Sequence, residues 1–188
     1  MITFSGRKVD VANMQKQDIC LQDIAKGLSL ICRWVGQLGQ FYSVAQHSVH
    51  MAEHAMSYGN LSMIPKLCLL HDASEAYLAD IPYGVKGLLP EYQRLENAVQ
   101  GAVYDKYLPG VTQEAESALK CIDHRAAVAE YLQLKPNSKR EDLGAPHHLL
   151  RPLPGKLVPM SPAEAEAAFL NMAEKLGLRA VASRGGVS

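Results

Sequence analysis

Residues 66–78, KLCLLHDASEAYL, set two adjacent ionisable side chains, His71 and Asp72, directly behind the most apolar run of the chain, Leu67, Cys68, Leu69 and Leu70. The run has the apolar density of a central helix; Pro65 suits its first turn, and Asp80, Ile81 and Pro82 mark its exit. Burying an ionised aspartate without a partner costs several kcal/mol, so something must compensate Asp72. A metal ion does so naturally. Consecutive helix positions point about 100° apart, and two such side chains converge on one ion only when other helices supply the remaining ligands.

The surrounding sequence predicts those helices. Upstream, Leu21, Ile24, Leu28 and Ile31 recur at helical spacing behind Asp18 as a cap, and Gly36, Gly39 and Phe41 then form a loop. Ser43 with Gln46 has the form of a capping box, followed by Val44, His47, Met51 and Ala55 on one face until Gly59. Downstream, a helix after Pro90 turns Leu95, Ala98, Val99, Ala102 and Val103 inward and closes at Pro109 and Gly110. A longer one, 112–134, buries Ala115, Leu119, Ile122, Ala126 and Ala129. Pro146, Pro152, Pro154 and Pro159 make 144–160 an extended loop. Ser161, Pro162 and Glu164 open a last helix, 162–177, and residues 183–188 fray. No strand or repeat stands out, so the sequence predicts an all-α helical bundle in a single domain.

Composition narrows the function. A chain of 188 residues can bury roughly 70% of its unfolded surface and needs no staple. With Lys+Arg 19 against Asp+Glu 19, it lacks the basic excess by which proteins hold nucleic-acid polymers. Cys20, Cys32, Cys68 and Cys121 form no CxxC pair and read as reduced core thiols. No stretch approaches the roughly 18 apolar residues of a membrane span and the N-terminus has no apolar signal core, which predicts a cytoplasmic protein without a membrane partner.

The remaining ligands come from two helices. His47 lies on the inward face beside Val44 and Met51, with His50 and His54 on neighbouring faces as competitors that read as solvated or as supports of the ligands. On the long helix, Asp123 and His124 both come after the Leu119–Ile122 stripe, and either can face inward. His147 and His148 fall in the proline-rich loop and read as exposed. Imidazole and carboxylate together suit Zn²⁺, Co²⁺, Mn²⁺, Fe²⁺ or Ni²⁺ better than Ca²⁺.

The spacing of His47, His71–Asp72 and Asp123 resembles the H…HD…D signature of the HD-domain metal-dependent phosphohydrolases. Over about residues 17–134, the segments CRW at 32–34, FYSVAQHSVHMAEH at 41–54 and HDASEAYLADIPYGVK at 71–86 are similar to the branch that holds bacterial 5′-deoxynucleotidases and phage dATP triphosphohydrolases. The resemblance implies that His47, His71, Asp72 and Asp123 bind a catalytic divalent transition metal, and its register selects Asp123 over His124. It implies that Glu75 acts on the attacking water or, with Asp80, holds a second divalent ion such as Mg²⁺, Mn²⁺ or Co²⁺. Arg33 and Lys86 would contact phosphate, and Trp34 would offer its flat ring to a nucleobase.

The resemblance therefore implies an enzyme that hydrolyses a small-molecule deoxynucleotide with metal-activated water and without a nucleophilic Ser or Cys. The substrate expected first is dATP, giving deoxyadenosine and triphosphate. The alternatives are a 5′-deoxyribonucleotidase acting on monophosphates and a non-catalytic nucleotide sensor. Relatives of this kind imply a homo-oligomer, dimer or hexamer. Residues 136–188 carry no assignable chemistry.

Overall fold

The computed structural model describes residues 1–57, 63–143 and 151–178. They form eight α-helices: α1 (Leu21–Leu30), α2 (Val44–Met56), α3 (Met63–Leu70), α4 (Glu75–Leu78), α5 (Tyr83–Lys86), α6 (Pro90–Tyr107), α7 (Gln113–Leu134) and α8 (Pro162–Lys175). Two isolated bridges, Ile2 with Lys8 and Cys32 with Ser43, are the only β pairing among the described residues. The fold is all-α. The end of the second helix at Gly59, the first half of the proline-rich loop with His147 and His148, and the tail at 183–188 lie outside the described residues.

Most of the predicted stripes are buried, but Ala98 of α6 is exposed, and Leu95 and Leu119 are only half-buried. Leu21, Ile24 and Leu28 of α1, Val44, Ala45, Met51 and Ala52 of α2, and Leu67, Leu69 and Leu70 of α3 are all buried. They belong to one contiguous hydrophobic cluster that also takes in Val99 and Val103 of α6, Ala126 and Ala129 of α7, and Phe169 of α8. The C-terminal helix is thus part of the core, packing on α1 and α2. Ser161 and Glu164 form its capping box, as the sequence predicts.

Several local expectations change. Asp18 does not cap α1: Cys20 stands at the N-cap without a side-chain bond, and Asp18 accepts from the Gln15 N–H at 2.9 Å in the preceding turn. Ser43 caps α2, but Gln46 does not complete a capping box. Its amide reaches instead to the segment before α8, donating to the Val158 carbonyl at 2.7 Å and accepting from the Met160 N–H at 2.9 Å. Cys121 is exposed, so it is no core thiol, whereas Cys20 and Cys68 are buried.

The largest change concerns the stretch that carries His71 and Asp72. KLCLLHDASEAYL is not one helix: α3 stops at Leu70, residues 71–74 form a turn, and α4 starts at Glu75. Within the turn the backbone tightens to bonds spanning three residues, from Ala73 N–H to Leu70 O at 3.1 Å and from Glu75 N–H to Asp72 O at 3.0 Å. Periodicity cannot reveal such a break, because every residue across it retains helix-compatible spacing.

Candidate metal centre

Three elements converge on one point. α2 contributes His47, fully buried; the turn between α3 and α4 contributes His71 and Asp72; α7 contributes Asp123. His71 Nε2 lies 3.0 Å from Asp72 Oδ2, and Asp123 Oδ1 lies 3.2 Å from His47 Nε2 and 4.0 Å from His71 Nε2. The ring centroids of His47 and His71 are 5.3 Å apart. One ligand atom each from His47, His71 and Asp72 falls within 4.8 Å of the others, so this His–His–Asp cluster could hold a metal ion. Asp123 flanks it, half-buried, while His124 is exposed; of the two neighbours the helix turns the carboxylate inward.

The donor atoms fit a cation. His47 Nε2, His71 Nε2 and Glu75 Oε2 are buried without a hydrogen-bond partner, although acidic oxygens lie nearby. Leaving such an atom unsatisfied costs about 1–3 kcal/mol, and two carboxylates facing two imidazole nitrogens are satisfied together by one divalent ion.

The facing carboxylates also raise both imidazoles. Burial disfavours the His71 cation, but Asp72 and then Asp123 outweigh it and push the imidazole up to about 9. His47 moves the same way against burial and Arg33, because Glu130 and Asp123 face it. Burial works against ionised Asp72, but His71 holds it below the usual carboxylate range. Burial likewise opposes ionised Asp123, yet the His47 imidazole beside it, and then His71, bring it to about 2.

Glu75 begins α4 on the edge of the cluster. Burial, reinforced by Asp72 and Asp80, pushes its carboxyl up to about 9. Lys86 Nζ is 3.5 Å from Glu75 Oε1 and 2.7 Å from Glu96 Oε1, so the lysine bridges two acids. Asp80 is half-buried and also raised, chiefly by burial. Glu75 and Asp80 are joined by no further His, Cys or acid into a second cluster of three among the described residues.

Arg33 and Trp34 meet at a residue that the sequence alone does not single out. Glu130, fully buried on α7, accepts from Arg33 Nε at 2.9 Å and Trp34 Nε1 at 3.0 Å through Oε2, and its Oε1 lies 2.5 Å from His47 Nδ1. Arg33 also approaches Asp72 Oδ2 at 3.7 Å. Burial opposes the Glu130 charge, but Arg33 and His47 lower its carboxyl to about 2. The available signal is its place seven residues after Asp123, two turns along the same face and beside the buried Ala129. Trp34 is held by this bond and by Tyr131, its ring centroid 5.8 Å away at 42°.

For His50 and His54 the structure overturns the solvated alternative only. His50 and His54 are not solvated: His54 is buried, with Nε2 3.4 Å from Arg125 Nη1, and His50 is half-buried with Nδ1 shut away from solvent. Both have their ordinary pKa lowered, first by burial.

Comparison with known proteins adds relationship without function. No family model matches the chain. It is 42% identical over 114 residues to the uncharacterized protein YfdR of Escherichia coli, a match covering 58% of this chain and 59% of YfdR. It is 34% identical over 177 residues to an uncharacterized protein of Rhodobacter capsulatus, covering 88% of this chain and 89% of that protein.

Proposed function

The chain belongs to the family of that Rhodobacter capsulatus protein, and we propose that its His–His–Asp cluster is the centre of an HD-type, metal-dependent phosphohydrolase acting on deoxynucleotides. One observation carries the reading: two buried imidazole nitrogens without hydrogen-bond partners face two carboxylates, and a buried acid with a free oxygen stands beside them. A divalent ion of the Zn²⁺, Co²⁺, Mn²⁺, Fe²⁺ or Ni²⁺ class supplies Lewis acidity toward a phosphoryl oxygen and a water nucleophile at neutral pH.

The chain's own groups perform the rest. His47, His71, Asp72 and Asp123 hold the ion. Drawn into its ionised form by a divalent ion beside Asp72, the raised Glu75 carboxyl orients the attacking water and takes its proton, and Asp80, whose charge acts on Glu75, assists in holding a second ion. Arg33, fixed by Glu130, presents its remaining guanidinium donors to a nonbridging oxygen, and Lys86 adds a point charge. The half-buried Trp34, held by the same Glu130 that fixes Arg33, offers its ring to the base. The first substrate is dATP, cleaved at the phosphorus joined to the sugar to give deoxyadenosine and triphosphate.

A second reading has an observation of its own. Arg33 is paired with Glu130 and Asp72, and Lys86 with Glu96 and Glu75, so both cations are already compensated. That balance favours the smaller charge of a monophosphate and a 5′-deoxyribonucleotidase. Purified protein with Co²⁺ or Mn²⁺ is incubated with the four dNTPs and the four dNMPs. Triphosphate released from dATP supports the first reading, turnover of monophosphates alone supports the second, and no hydrolysis of either by metal-loaded protein leaves only a binding role.

A further inference from the structure

A side chain of α6 bridges the break between α3 and α4. Gln100, on α6, donates from Nε2 to the Leu70 carbonyl at 2.7 Å and accepts at Oε1 from the Ser74 N–H at 3.0 Å. Leu70 C=O and Ser74 N–H are the two groups that would bond to one another if α3 ran on into α4. The carboxamide of Gln100 stands between them, supplying the Ser74 N–H with its missing partner and giving the Leu70 carbonyl a second donor beside the Ala73 N–H. Among side chains, a primary amide suits this place because it carries a donor and an acceptor on one planar group.

The consequence falls on the residues enclosed by the splice, His71, Asp72 and Ala73. In a continuous helix, His71 and Asp72 would diverge by about 100°. Here His71 Nε2 and Asp72 Oδ2 are 3.0 Å apart. The opened ladder also frees the Cys68 carbonyl to accept from His71 Nδ1 at 2.9 Å, which leaves Nε2 facing the cluster. The geometry points to Gln100 as a positioning residue: it keeps the helix open at the His71–Asp72 dipeptide so that two adjacent side chains address one cation. The assignment rests on reading the cluster as a metal site.

The test uses Co²⁺, whose visible bands report ligand geometry, titrated into the full chain and into Gln100→Met, which keeps the length of the side chain and removes both hydrogen bonds. Loss of a group that orients a ligand weakens metal binding by about 10–100-fold. Gln100→Met is therefore expected to weaken Co²⁺ binding by that factor and to shift the bands, whereas Asn97→Ala, on the exposed face one turn earlier, changes neither. Should Gln100→Met not fold, Gln100→Glu, which retains the acceptor for Ser74 N–H and loses the donor to Leu70, is read in the same way. A folded variant with wild-type affinity and band positions overturns the role of Gln100 alone. An unsubstituted protein without Co²⁺ bands overturns the metal reading, and the positioning role with it.

Discussion

Glu130 Oε1 lies 2.5 Å from His47 Nδ1, while the other oxygen of the same carboxylate holds Arg33 and Trp34. One buried acid on α7 thereby decides which imidazole nitrogen is turned toward Asp123 and where the nearest guanidinium sits. The candidate metal cluster and the guanidinium proposed to face phosphate share a single anchor.

Removing that anchor should damage both halves. Glu130→Ala leaves Arg33 and His47 without their common counter-charge, and breaking a buried pair in this way costs about 3–5 kcal/mol. Chemical denaturation should show a loss of that size. Metal affinity in Glu130→Gln, which keeps the shape, should fall by about 10–100-fold. Unchanged affinity in a folded Glu130→Gln would remove Glu130 from any role in orienting His47.

Glu75 can be separated from the ligands. If it handles the proton of the attacking water, Glu75→Gln should lower kcat by about 10²–10⁴-fold while the ion stays bound. His71→Ala and Asp72→Ala should lose metal and turnover together. Elemental analysis beside steady-state kinetics distinguishes the two patterns, and full activity in any of the three would contradict its assigned place.

The metal-free protein should weaken as pH rises. His71 titrates near 9 in the fold against an ordinary value near 6.5, so its stabilising contribution is complete below about 6.5 and is lost as pH climbs through about 9. Glu75 also titrates near 9, above its ordinary value near 4.5, so its buried neutral form adds a loss of the same sign from about 4.5 to 9. Metal binding displaces the imidazole protons and strengthens over that range. The difference in Tm between metal-loaded and metal-free protein should therefore widen from pH 6.5 to 9; a constant difference would contradict the protonated cluster.

Gly27 is needed for close approach of α1 to α4. A Cβ there would come within 2.7 Å of Ala76 Cβ and 2.8 Å of its Cα, in the residue next after Glu75. Gly27→Ala should cost about 1–3 kcal/mol by overpacking and displace α4, lowering kcat without touching the ligands. Thermal unfolding and kinetics of the one variant test both effects.

Val35 stores backbone strain beside the site. Its φ is +52°, a left-handed conformation that costs a non-glycine residue about 1–2 kcal/mol, and its side chain is mostly exposed. Val35→Gly should raise stability by about 1 kcal/mol, measured by denaturant unfolding. A loss would mean that the exposed valine makes contacts worth more than the strain.

The order of the helices was legible because it depends on local chemistry. Thr112 caps α7 and Ser161 caps α8 with bonds made three residues away, and the stripe through Val99, Ala102 and Val103 buries itself at helical period. The His71–Asp72 part of the candidate cluster was legible for a related reason: two ionisable residues behind four apolar ones are costly unless something compensates them, and that cost is visible in the string of letters.

Glu130, Gln100 and the pairing of Lys86 were not legible, because each acts through a partner distant in sequence. Glu130 reaches 83 residues back to His47, and Gln100 reaches 30 residues back to Leu70. By itself, then, the sequence determined an all-α chain and the positions at which ionisable groups would be buried. Only the tertiary structure decided that α3 stops at the dipeptide, which nitrogen of His47 is left toward the cluster, and that the site's cations are already paired. Those outcomes depend on hydrogen bonds made across the core, where a lone donor or acceptor is costly and the nearest partner in space is rarely the nearest in sequence.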